Sequence, residues 1–291
     1  MGISIFAQPA HTNTNPAQPF DPSAPVRSGH LQRVSSIIRG EQIAERLGAR
    51  LNPFNGYFSD VCIYVKPHVN SANRDEWAKT LTALPHPYLD IIDGWGLVPL
   101  LQACPGVGVI ACSRQDGEML RGVLSNPVTV IPQHHANFDR VKRTREGIAR
   151  VGVIGVDKAF PFLPEGLGPA LAQRGIELET FSKFYTRADI VAFYSRIDVQ
   201  IVWRPYRMRL SNPLKLVNAA SFGVPTIALR ESTFDELGDA CLQVGDLVGL
   251  LAKLDELRQW PLLYEQLSAR CLHRAEAYHI DAVCDMYRRL Q

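Results

Sequence analysis

The sequence predicts an α/β protein with two parallel-sheet domains, on three observations. Short apolar runs alternate with amphipathic ones along most of the chain. The alternation breaks at a charged connector and then restarts, and 291 residues with 46% hydrophobic content can bury two cores. Alternation of this kind implies mainly parallel sheets covered on both faces, because each parallel crossover lays a helix over the sheet.

Residues 3 to 7 read as the first strand, and Pro9 to Pro25, rich in Pro, Asn, Thr and Gln with no hydrophobic period, as a long loop. Ser28 to Leu47 carries Leu31, Val34, Ile37, Ile38, Ile43, Ala44 and Leu47 at mainly three- and four-residue spacings, an amphipathic helix that Gly48 ends. Strands at Asp60–Val65, Tyr88–Ile92, Val107–Cys112 and Val128–Ile131 then alternate with helices at Asp75–Leu84, Trp95–Ala103 and Arg114–Leu124. The polar residues after these strands are Lys66 and His68, Asp93, Ser113 and Arg114, and His134 with His135. Ligands of open α/β sheets bind at strand carboxyl ends, so these groups are expected on one rim; the two histidines alternatively line the hinge.

Arg140 to Arg145 reads as a solvated basic connector. The second half opens with the apolar strand Val151–Val156 followed by Asp157 and Lys158, then helix Leu167–Arg174, strand Ile176–Phe181, helix Arg187–Ser195 and strand Val199–Trp203 ending in Arg204. In Ser211–Glu236, Pro213 suits a helix's first turn, Gly223 its C′ position, and Pro225 blocks continuation before a strand at Val224–Leu229. Thr233 and Glu236 have capping-box spacing at the next helix start, whose N–H groups suit an anion such as pyrophosphate. Leu247 to Leu257 marks a helix face, and residues 262 to 290 stay helical beyond Pro261.

A net charge of +2 argues against a nucleic-acid partner recruited by bulk charge. The six cysteines show no zinc-ligand spacing and read as buried thiols in a reducing compartment. No apolar run approaches the roughly 18 residues needed to span a bilayer, and the opening residues do not form a signal peptide. The expected location is cytoplasmic, with room for peripheral contact at the inner membrane face. The glycines at 106 and 108, and at 152 and 155, do not complete the G-x-G-x-x-G dinucleotide fingerprint.

Asn218-Ala-Ala-Ser-Phe-Gly-Val-Pro225 and Cys241 to Leu251 resemble the donor-binding half of GT-B glycosyltransferases of the family 4 (group 1) type. The resemblance covers roughly the last 140 residues and is architectural over the first half. It implies two Rossmann-like domains facing across a cleft, residues 1–140 for the acceptor and 141–275 for a nucleotide-diphosphate sugar, with 276–291 a helix packing back on the first domain. The implied reaction, of a kind used in polysaccharide biosynthesis, moves a sugar to a hydroxyl of a glycan, lipid-linked or other acceptor, with no cofactor beyond the donor and no metal. Many members present a glutamate to the ribose where this chain has Asn218, and a second acidic residue where it has Leu210. That departure leaves open an inactive sugar-binding or partner subunit, and the architecture also admits a sugar-nucleotide epimerase.

Arg204, Lys215, Asn218, Ser232, Thr233 and Lys158 are the expected donor ligands, with cations and helix N–H groups stabilising the departing diphosphate. Asp93, one residue past a strand and beside Trp95 whose exposed indole could stack on a sugar, is the first candidate base, and His30 the second.

Overall fold

The computed structural model describes residues 1–7, 34–143, 145, 147–182, 186–205 and 210–290. The chain divides into two compact units: Met1–Gln133 with Met208–Asn212 and Ile280–Gln291, and His134–Arg207 with Pro213–His279. The division after Gln133 comes earlier than the expected residue 140. The reason is local bonding: the His135 N–H donates to the Tyr278 carbonyl (3.1 Å), the Ala136 N–H to Asn218 Oδ1 (2.7 Å) and Asn137 Nδ2 to the Ser221 carbonyl (2.7 Å), all within the second unit.

The first unit holds a parallel sheet of β1 (Ile3–Ala7), β2 (Arg50–Leu51), β3 (Val61–Val65), β4 (Pro87–Asp90), β5 (Gly108–Ala111) and β6 (Val128–Val130), in the order β2-β1-β3-β4-β5-β6. Every residue of β1 and β3 is buried, as strands covered on both faces require. The sequence does not reveal β2, since two residues are too few to carry a period. The first helical segment runs as α1 (Val34–Ser36), a π-turn (Ile37–Glu41) and α2 (Gln42–Leu47), ended by Gly48 at φ +65°. Residues 28–33 of the helix expected there lie outside the described residues.

The π-turn carries Arg39, which is fully buried; its Nε donates to Asp90 Oδ2 (2.6 Å) and its Nη1 to the carbonyls of Ile131 and Pro132 (2.7 Å each). Helices α3 (Arg74–Ala83), α4 (Val98–Ala103) and α5 (Arg114–Arg121) follow, α4 being preceded by a 3₁₀ turn at Trp95–Leu97. Ser113 caps α5, its hydroxyl accepting the Asp116 N–H at 3.0 Å.

The second unit is a doubly wound parallel sheet: β7 (Arg150–Ile154), β8 (Glu177–Phe181), β9 (Val199–Val202), β10 (Thr226–Leu229) and β11 (Cys241–Val244), in the order β11-β10-β9-β7-β8. Its helices are α6 (Leu167–Ala172), α7 (Arg187–Arg196), α8 (Leu214–Ser221), α9 (Leu247–Gln259) and α10 (Pro261–Ala275). After α10 comes a 3₁₀ turn at Glu276–Tyr278, and α11 (Ile280–Arg288) belongs to the first unit. The helix expected over 262–290 is thus interrupted, with His279 extended between the two parts.

Gly223 occupies the left-handed C′ position of α8 at φ +67°, with the Val224 N–H returning to the Ala219 carbonyl (3.0 Å). Two expectations need correction. Thr233 does not cap a helix: it is buried inside a 3₁₀ run, Ser232–Ala240, whose N-cap is Glu231, held extended with its N–H donating to Gln243 Oε1 (2.9 Å). The basic connector is solvated only over Arg140–Lys142 and is anchored beyond them. Arg143 and Arg145 meet buried Asp198 at 3.0 and 3.4 Å, and the other Asp198 oxygen accepts the N–H groups of Ala149 and Arg150 (2.8 and 2.7 Å).

Candidate donor site and acceptor-side residues

In the second unit the strand order reverses between β7 and β9, so the connections leaving their carboxyl ends run to opposite sides of the sheet, the switch point at which doubly wound sheets form a crevice and bind ligands. Gly155 follows β7, and Arg204 stands two residues past β9. Lys215 lies in the first turn of α8, which a buried polar cluster holds in place. Gln200, the one polar residue of β9, donates from Nε2 to the Lys215 carbonyl and to Thr226 Oγ1 (3.1 Å each), while the Tyr194 hydroxyl donates to Gln200 Oε1 (2.7 Å).

The Lys215 ammonium lies over Gly155: a Cβ there would come within 3.2 Å of Nζ, contact that the glycine avoids. Lys215 is exposed to water, with protein packed around it. That crowding lowers its pKa, and Arg204 lowers it further while Glu231 opposes them. Arg204 faces Glu231 through both arms, Nε donating to Oε2 at 2.9 Å and Nη2 to Oε1. Ser232 and Thr233 open the 3₁₀ run next to Glu231, where N–H groups point out along the axis.

The structure therefore gathers Arg204 and Lys215 electrostatically and places Ser232 and Thr233 directly after Glu231. Lys158 falls in the 3₁₀ turn Asp157–Phe162 that follows β7. Asn218, one turn along α8 from Lys215, spends its Oδ1 on the Ala136 N–H. Sequence reasoning passed over Gln200; a lone amide within the apolar run Val199–Val202 was the available signal.

In the first unit, Lys66 and Asp93 follow β3 and β4, both in left-handed backbone conformations (φ +44° and +50°) that side chains other than glycine adopt at a cost. Their charged groups pair at 3.6 Å, and Asn212 Nδ2 donates to Asp93 Oδ1 at 3.5 Å. Trp95 is half-buried against the unit's core instead of presenting a free indole. Leu210, at the position of the family's second acidic residue, is buried in the same core, and Ser211 donates its N–H to Asp116 Oδ1 (3.0 Å). His30 lies outside the described residues.

His134 and His135 do not stand on a strand-end rim: both are buried in the second unit, with the His135 ring 5.4 Å from that of His279. Burial, then His279, His134 and Arg140, push the His135 pKa down to about 3. A cavity of about 270 Å³ lined by His135, Arg140, Lys142 and Ser221 lies at the far end of α8, where helix carbonyls disfavour a diphosphate. Among the described residues there is no group of three or more His, Cys, Asp or Glu that could hold a metal ion, and no helix is long and apolar enough to cross a membrane.

No family model matches the chain, and no curated protein matches it in sequence. Solved structures do. A glycosyltransferase from Rickettsia africae ESF-5 superposes with a TM-score of 0.59 at 10% identity, over 99% of this chain and 98% of that one. The DNA-modifying enzyme β-glucosyltransferase, studied with and without its substrate uridine diphosphoglucose, gives 0.58 at 11% identity over 100% and 99%. The fold is that of the GT-B glycosyltransferases. TarM matches at 0.57 and 10% identity over 79% of this chain, and the chain spans only about half of TarM, 54%. The GT-B fold accounts for two doubly wound parallel sheets in one chain.

Proposed function

We propose that this protein transfers a sugar from a nucleoside-diphosphate sugar to a hydroxyl of a glycan, lipid-linked glycan or other acceptor. The observation that carries the reading is the crevice of the second unit, where Arg204 and Lys215 converge beside Gly155 at the carboxyl ends of β7 and β9. The two cations and the first N–H groups of the Ser232–Ala240 run bind the diphosphate and stabilise the charge that grows on it as the sugar leaves. Support for a nucleotide-sugar donor comes from the β-glucosyltransferase of the same fold, whose substrate is uridine diphosphoglucose. Asp93, whose carboxylate is oriented by Lys66 and Asn212, orients or deprotonates the acceptor hydroxyl.

A second reading, a binding or partner subunit that keeps the fold without turnover, is favoured by the buried Leu210 and the engaged Asn218. Incubation with a panel of nucleotide sugars separates the readings. Release of nucleoside diphosphate, abolished or reduced at least about tenfold by Arg204→Ala, is expected of a transferase. Binding without release marks the partner subunit, and conversion to a different sugar nucleotide marks an epimerase.

A further inference from the structure

Arg204 and Lys215 share their crevice with one carboxylate. Glu231 lines up with the Arg204 guanidinium in the two-armed geometry that a phosphate would use, and the Arg204 and Glu231 side chains are only 25% and 18% exposed. Glu231 is itself fixed at the backbone, since its N–H is held by Gln243 Oε1, whose own amide donates to Asp235 Oδ1 (2.7 Å). It sits immediately before Ser232 and Thr233, so it stands at the entrance to the N–H groups that would receive an anion.

We infer that Glu231 is a built-in counter-ion that occupies the anion face of Arg204 and must be displaced when a diphosphate enters. This rests on the reading of the crevice as a diphosphate site and adds how that site is regulated: the carboxylate offsets the repulsion between two neighbouring cations and sets the threshold of charge that a ligand must bring. A group carrying one negative charge only replaces what Glu231 already supplies. A diphosphate spans Arg204, Lys215 and the N–H groups together, and can take over Arg204 with charge to spare. The leaving diphosphate is in turn displaced by the returning carboxylate, which opposes tight retention of product.

Calorimetric titration with inorganic pyrophosphate, a probe with neither base nor sugar hydroxyls, tests this on the intact protein. Four proteins are needed: wild type, Glu231→Gln, Arg204→Ala and the double variant, each checked for an unchanged thermal melt. Expected is tighter pyrophosphate binding by Glu231→Gln, by about tenfold, with most of that gain lost when Arg204 is already alanine. Should wild type bind pyrophosphate and Glu231→Gln bind it equally or more weakly, the counter-ion role is wrong while the diphosphate reading survives. A gain of equal size in the Arg204→Ala background also overturns it, since the effect would then be the field of one carboxylate and not the masking of Arg204. If neither wild type nor Glu231→Gln binds pyrophosphate, both the inference and the reading beneath it fail. Glu231→Ala provides the second variant if the glutamine protein melts early, and the same directions apply.

Discussion

Asp93 is in a left-handed backbone conformation and holds its carboxylate between Lys66 and Asn212, an arrangement that a solvated surface residue would not need. Asparagine has the same shape and tolerates the left-handed region, so the fold should accept it in place of the proposed base. Asp93→Asn is then expected to lower turnover by at least about a hundredfold with donor affinity little changed, measured as kcat against the Kd for nucleoside diphosphate. At His135 the residue scale sets a pH dependence. The folded pKa lies near 3, and the unfolded value is about 6.5, so between them the unfolded chain binds the extra proton and stability falls as pH drops. The contribution is whole above about pH 6.5 and declines by up to about 1.4 kcal/mol per pH unit below it. Denaturant midpoints at pH 7 and pH 5 should therefore diverge, and His135→Gln should flatten the slope between them.

At the scale of elements, two glycines in the second unit predict opposite outcomes for the same substitution. Gly223 closes α8 at φ +67°, and a Cβ there would stand 2.6 Å from Ser268 Oγ, whose hydroxyl donates to the Gly223 carbonyl (2.7 Å). Gly223→Ala combines left-handed strain with a clash and should cost about 2–4 kcal/mol in chemical denaturation. Gly249, in the first turn of α9, has room for a Cβ at ordinary contact distance, the nearest atom being Asp246 Oδ1 at 3.4 Å, so Gly249→Ala should stabilise by about 0.5–1 kcal/mol. The glycine of β7 is a packing device of another kind. A Cβ on Gly152 would meet Ile197 Cγ2 at 2.6 Å and Phe193 Cζ at 2.7 Å, which is how closely α7 and the segment after it approach the strand.

Across the whole molecule, the chain ends in the unit where it began. Helix α11 buries Ile280, Val283, Cys284 and Tyr287 in the first unit, and the Tyr287 hydroxyl reaches the Asp90 carboxylate (3.3 Å) while the Arg39 guanidinium lies 5.5 Å from its ring centre. Burial pushes the Asp90 carboxyl up against the pull of Arg39, so the cluster depends on every member being present. Removing residues 280–291 strips four buried side chains at about 1.5–3 kcal/mol each, comparable to a domain stability of about 5–15 kcal/mol. The truncated protein should lose cooperative melting of the first unit, seen as rapid proteolysis within 34–133, while the fragment beyond 134 stays protected.

What the sequence determined by itself is the order and kind of its elements. Continuous apolar runs such as Val61–Val65 and Val151–Ile154 demand burial on both faces, and only alternation with helices supplies it, so two parallel sheets were legible from periodicity alone. The placement of Arg204 and Lys215 near the strand ends was legible for the same reason, since it follows from where β9 stops and the next helix starts. The partners of those residues were decided by the tertiary structure. Glu231 meets Arg204 across 27 positions, Asn218 meets Ala136 across 82, and Leu210 leaves the second half of the sequence to fill the core of the first unit. Such contacts depend on which strands become neighbours, and a one-dimensional pattern carries a residue's preference for burial or charge without naming the group that satisfies it.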